Sequence, residues 1–153
     1  MSRTLLIGLG NSLLTDDAVG PAVARAVVER LAAGEAELAE LSVGGLELVE
    51  RLVGCERAVI IDAIQTEGGR IGDCRRLDFA AAPQGRTSAL THRLDLAAGL
   101  ELGRRLGWQL PERLAVYVVE VADPYTFGET MTPAVQAAVA RAAEQIIAAE
   151  FGH

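Results

Sequence analysis

Thr4-Leu5-Leu6-Ile7-Gly8-Leu9-Gly10-Asn11-Ser12-Leu13-Leu14-Thr15-Asp16-Asp17 is the stretch whose reading decides the fold. Leu5 to Ile7 are apolar without alternation, which describes a central strand covered on both faces, and Gly8 and Gly10 let the backbone turn sharply at its carboxyl end. Val19, Ala22, Val23, Ala26, Val27 and Leu31 then recur at helical spacing. Pro21 is tolerated in a first turn, and Thr15 to Asp17 offer cap side chains. A buried strand, a glycine turn, two acids and an amphipathic helix form the opening of an open α/β sheet, whose ligands bind beyond the carboxyl ends of the strands.

Working outward, Ala36–Leu41 reads as a second, more exposed strand, because Glu35, Glu37 and Glu40 alternate with apolar residues. Gly44-Gly45 breaks the chain before a short apolar helix over Leu46 to Val53, which Gly54 ends. Arg57-Ala58-Val59-Ile60-Ile61-Asp62 is a β-branched run that stops on an acid, so Asp62 reaches the same edge as Asp17 if the two strands are parallel. Ile71–Leu77 follows too closely for a crossover helix, which predicts an antiparallel neighbour for the preceding strand. Asp78 to Ser88 reads as a loop, with Thr91-His92 starting a helix that runs to about Leu106. Leu114–Val121 is a third long apolar strand, Asp123–Thr130 a polar loop, and Thr132-Pro133 opens a final helix with Val135, Ala138, Val139, Ala142, Ile146 and Ala149 on one stripe. The expected architecture is α/β: one domain over residues 1–153, with three layers and a twisted, mostly parallel five-stranded sheet, one strand antiparallel, covered by helices on both faces.

Composition narrows the function. A chain of 153 residues, 50% hydrophobic, supports one core. A net charge of −7 repels polyanions, so no nucleic-acid partner is expected. No stretch has the length of a signal peptide or membrane span, so a cytoplasmic protein without membrane contact is expected. Cys55 and Cys74 lack a Cys-x-x-Cys spacing and read as free thiols.

Asp17, Asp62 and His92 come from three separate segments converging on one edge, and two carboxylates with one imidazole suit a divalent transition ion with open coordination positions. A histidine near a helix amino terminus stays neutral, leaving a lone pair for a metal. Each residue also has an ordinary reading. Asp16 and Asp17 serve equally as helix caps, and Asp16 is assigned that role; a bond to a loop amide at its strand end is the ordinary reading of Asp62, and a single histidine at a helix start is usually surface. Glu120 and Asp123 line the same edge in a minor role. A dinucleotide site is disfavoured because Gly8-Leu9-Gly10 continues to Leu13 where the third glycine belongs, so the helix is not expected to approach the strand closely. A phosphorelay receiver needs a lysine, and the chain has none.

The combination Gly8-x-Gly10-Asn11, Leu14-Thr15-Asp16-Asp17-x-x-Gly20, Ile60-Ile61-Asp62-Ala63, His92 and Thr132-Pro133-x-Val135 resembles the hydrogenase maturation proteases through nearly the whole chain. That resemblance implies an endopeptidase that removes the carboxyl-terminal extension of a nickel-loaded nickel-iron hydrogenase large-subunit precursor. It places the family's metal-binding positions on Asp17, Asp62 and His92. Nickel would arrive with the substrate, zinc or cadmium could substitute, and the protease is expected to be a monomer. The chain departs from the family in two places. Glu40-Leu41-Ser42-Val43-Gly44-Gly45 replaces an Asp-Gly-Gly-Thr segment, and Ala18 replaces a glycine after the second acid. The alternatives are a non-catalytic nickel-binding module and, with weaker support, a peptidyl-tRNA hydrolase-like enzyme, whose Gly-Leu-Gly-Asn opening is shared but whose early histidine is missing.

The free protein should bind nickel, zinc or cadmium weakly, with affinity falling below about pH 6 as protons compete for His92. Calorimetric titration of wild type and His92→Ala tests this; equal binding by the two would remove His92 from the site.

Overall fold

The computed structural model describes residues 3–42, 44–77 and 88–152, with residues 88–95 described by their backbone alone. Strand β1 (Thr4–Leu9) leads through a 3-10 turn (Thr15–Ala18) into α1 (Val19–Arg30), then β2 (Glu37–Leu41), α2 (Gly45–Leu52) and β3 (Arg57–Ile64). A short β4 (Cys74–Arg76), α3 (Ser88–Arg105), β5 (Arg113–Glu120) and α4 (Pro133–Glu150) complete it. The five strands lie in the order β2-β1-β3-β5-β4. All pairs are parallel except β4 with β5. The mostly parallel α/β sheet expected from the hydrophobic pattern is therefore present.

The layers follow from the period of two along each strand. Leu6, Val59, Ile61, Ala63, Tyr117 and Val119 face α1 and α4, while Leu5, Ile7, Ala58, Ile60 and Val116 face α2 and α3. Burial on both sides is why β1 and β3 read as continuous apolar runs. β2 has a neighbour on one side only and keeps Glu37 and Glu40 exposed. No helix among the described residues is long and apolar enough to cross a membrane.

Three sequence expectations are corrected. The short antiparallel strand pairs with β5 instead of β3, because β5 enters between them. Val116, Val118 and Val119 are buried, so β5 needs cover on both faces, whereas β4, with Arg75 and Arg76 exposed, suits the rim. Helix α3 begins at Ser88, which puts Thr91 inside it. Finally, α1 does approach β1 closely, because Gly20 does the work expected of a third loop glycine. A Cβ on Gly20 would sit 2.4 Å from the Leu9 carbonyl oxygen and 2.5 Å from that of Ile61, and one on Gly8 would lie 2.5 Å from the Cα of Pro21.

The obstacles at Gly20 are backbone atoms of two central strands, so an added methyl has no flexible neighbour to displace. Gly20→Ala should therefore cost about 2 kcal/mol or more, read as a lower midpoint in urea unfolding. A loss under roughly 0.5 kcal/mol, the scale of an ordinary surface change, would show that α1 shifts off the sheet freely.

Candidate active site at the carboxyl edge of the sheet

At the end of β1 the chain turns back on itself. The Gly10 amide donates to the Leu41 carbonyl at 2.9 Å, tying the turn to β2. A Cβ on Gly10 would stand 2.0 Å from the Asp17 carbonyl oxygen, so glycine is required for the acid's backbone to sit there. The Asn11 amide donates to Asp17 Oδ2 at 2.8 Å, and the Asn11 side-chain oxygen accepts from the Leu13 amide at 2.9 Å. Asn11 thus shapes both ends of the loop. The 3-10 turn that carries Asp17 packs against β3.

Asp62 lies within β3, two residues before its end, opposite Val118 of β5. It is 2% exposed. Its Oδ1 accepts the Ala63 amide at 2.8 Å, the bond of an acid within a strand rather than at a loop. Alternation places it on the face that holds Ala58 and Ile60, covered by α2 and α3. Helix α3 packs across β3 and passes α2 at Gly99, where a Cβ would lie 3.2 Å from the Gly45 oxygen. Residue 92 belongs to the same helix, about 10 Å nearer its start at 1.5 Å per residue. The His92 side chain lies outside the described residues, as does most of the loop before α3. Asp17 thus lies in the turn that follows β1 and Asp62 near the carboxyl end of the adjacent parallel strand β3, on which the helix of His92 packs. Among the described residues no set of three His, Cys, Asp or Glu side chains could hold a metal ion.

Asp16 does not cap its helix. Neither the 3-10 turn nor α1 has a side-chain cap. Asp16 is fully buried and its carboxylate points away, accepting the amides of Ala122 at 3.0 Å, Asp123 at 2.8 Å and Thr132 at 2.7 Å, plus the Thr132 hydroxyl. Thr132 is the N-cap of α4. One carboxylate thus ties the loop after β1 to the loop after β5 and to the last helix.

The acids at the end of β5 and in the loop after it are also structural. Glu120, 1% exposed, accepts the amide and hydroxyl of Thr66, each at 2.6 Å, with Arg75 at 3.5 Å. Asp123 closes a turn by accepting the amides of Tyr125 and Thr126, both at 3.0 Å. The Thr126 hydroxyl and these amides hold its carboxyl below the usual range. Burial pushes the Cys74 thiol up to about 11 and also raises that of Cys55, so neither supplies a thiolate at neutral pH.

A protein-family model described as hydrogenase maturation protease matches residues 21–149. The hydrogenase 2 maturation protease of Escherichia coli strain K12 is 30% identical over 151 residues, covering 96% of this chain and 90% of that protein. Among solved structures, the hydrogenase maturating endopeptidase HybD of E. coli is similar at 28% identity and a TM-score of 0.76, covering 98% of this chain and 93% of that one. The HybD protease of Thermococcus kodakarensis, at 24% identity, shares the fold with a TM-score of 0.69 over 99% of both chains.

Replacing the Asp16 carboxylate by an amide turns one acceptor oxygen into a donor facing backbone N–H groups. Asp16→Asn should lose about 3 kcal/mol or more, since each buried donor left unmet costs about 1–3 kcal/mol. Hydrogen exchange should quicken first at Ala122, Asp123 and Thr132. Protection at those amides equal to wild type would disprove the clamp.

Proposed function

Since the chain belongs to the hydrogenase maturation protease family, we propose that it is the endopeptidase that removes the carboxyl-terminal extension of a nickel-iron hydrogenase large-subunit precursor once nickel is loaded. The observation that carries this reading is the placement of Asp17 and Asp62 on one sheet edge, beside the helix that bears His92. Nickel is cargo of the substrate in this scheme. Asp17, Asp62 and His92 are the residues that would meet it, and zinc or cadmium would substitute in the free protein.

A carboxylate-rich edge attracts a cation, and a cation already bound in the precursor brings the adjacent peptide bond with it. The metal contributes positive charge near the scissile carbonyl. Within the chain, the rigid turn around Asp17 fixes one carboxylate and the interior of β3 fixes the other, so neither must be ordered when substrate arrives. Water's oxygen joins the carbonyl carbon and the C–N bond breaks. One proton from the water, received by a site carboxylate, passes to the departing amine, and the new carboxyl group ionises. Two protonated thiols away from these motifs support a water nucleophile over a cysteine one.

The expected outcome is that the protein shortens the nickel-loaded precursor, leaves the nickel-free precursor intact, and loses activity in Asp17→Asn, as read by the mass of the precursor after incubation. An unchanged mass with nickel-loaded precursors would favour a nickel-binding module without catalysis. Cleavage that ignores nickel would refute the gating while leaving the protease assignment standing.

A further inference from the structure

The edge that carries Asp17 also exposes an apolar surface that neither the core nor the proposed chemistry uses. Phe127 is 84% exposed, Tyr125 64% and Leu13 52%. They sit on the two loops that follow β1 and β5, which are stitched together. Leu14 and Gly128 form a parallel bridge, the Gly128 amide donates to the Leu13 carbonyl at 2.9 Å, and the Thr15 amide donates to the Gly128 carbonyl at 3.0 Å. The Thr15 hydroxyl donates to the Thr126 carbonyl. The backbone is therefore held on both sides of Phe127, and Leu13 is fixed through Asn11. An exposed ring on a loose loop is ordinary; this one stands on a backbone fixed before any partner arrives, beside a loop in which three residues separate Leu13 from Asp17.

We propose that Leu13, Tyr125 and Phe127 are the docking surface for an apolar, carboxylate-poor stretch of the large-subunit precursor that flanks the bond to be cut. This rests on the function proposed above. Continuity with the Asp17 loop argues for the substrate as occupant, because whatever covers Leu13 lies beside the candidate site. Charge argues the same way. Asp123, held ionised by the Thr126 and Tyr125 bonds, and exposed Glu129 flank the aromatic pair, so an acidic segment is repelled. A second copy of this chain would bring the same acids face to face, within a net charge of −7 on each molecule. Preordered aromatic side chains lose little conformational freedom on binding and so suit an anchoring role.

The test uses the whole protein and the nickel-loaded precursor. A Leu13→Ala, Phe127→Ala double variant should raise KM at least about tenfold with kcat within about twofold, the pattern for lost uniform binding. Phe127→Leu should restore most of the loss. Thermal unfolding and nickel-ion titration should match wild type, because the side chains are exposed. An unchanged KM in a double variant of an active wild type would overturn the proposal. So would wild-type self-association, seen in sedimentation, that the variant abolishes while precursor kinetics stay the same. Wild type that binds the precursor without cutting it, with binding lost in the variant, would refute the protease reading and uphold this surface. A wild type that binds no precursor would refute the surface itself.

Discussion

The carboxylate of Asp16 is the interaction on which the candidate site depends. A buried acid is costly unless its oxygens are met, and here three amides and a hydroxyl meet them. The geometry makes one side chain the joint of three segments that are distant in sequence. It also makes tolerable a residue that would otherwise be strained. Thr15 has φ +46, a left-handed conformation that costs a β-branched residue about 1–3 kcal/mol. Its amide and hydroxyl are bound to the loop after β5, and Asp16 holds that loop in place. The strain is confined to the turn that presents Asp17.

The second constraint is distance between backbones. Gly8, Gly10 and Gly20 are positions where a side chain would collide with main-chain atoms. Together they press the start of α1 against β1 and β3, which fixes how far the Asp17 turn lies from the strand that carries Asp62. The opposite end of the sheet is held by other means. Arg57 at the start of β3 bonds the carboxylate and carbonyl of Glu150 and stacks over Phe151, while Tyr117 donates to the same carboxylate at 2.6 Å. Burial raises the Glu150 carboxyl, but the Tyr117 and Arg57 bonds and the charge of Arg76 outweigh it and hold the group ionised below its ordinary value. Packing and ion pairing secure the base of the molecule, which leaves the carboxyl edge free for loops chosen by their hydrogen bonds.

The same acids divide into two groups by what surrounds them. Asp16, Glu120 and Asp123 are occupied by amides and hydroxyls of their own chain, so they set loop shape. Asp17 is only half-buried at the loop surface, and Asp62 lies at the carboxyl end of a central strand, where strands of an open α/β sheet offer residues to ligands. Type of residue does not separate the groups; what each carboxylate joins does, since Asp17 and Asp62 accept amides close by in sequence, from Asn11 and Ala63, whereas Asp16 and Glu120 tie segments distant in sequence.

The sequence by itself determined the sheet class, the order of elements and the edge where the acids gather. These follow from periodicity and from chain geometry, which act over a few residues: Leu5 to Ile7 and Val59 to Ile61 had to be covered on both faces, and acids following such strands had to reach one edge. What only the tertiary structure decided were the pairings between distant segments. Asp16 looked like a helix cap because its local donors were the only ones visible in the chain, whereas its real partners lie more than a hundred residues away. The place of β4 beside β5, the role of Gly20 against Leu9 and Ile61, and the stitching of Phe127 to Leu13 are likewise contacts across space. A one-dimensional pattern carries which faces must be buried, but the choice of partner for a particular polar group is made by packing, because only the folded chain brings donor and acceptor within reach.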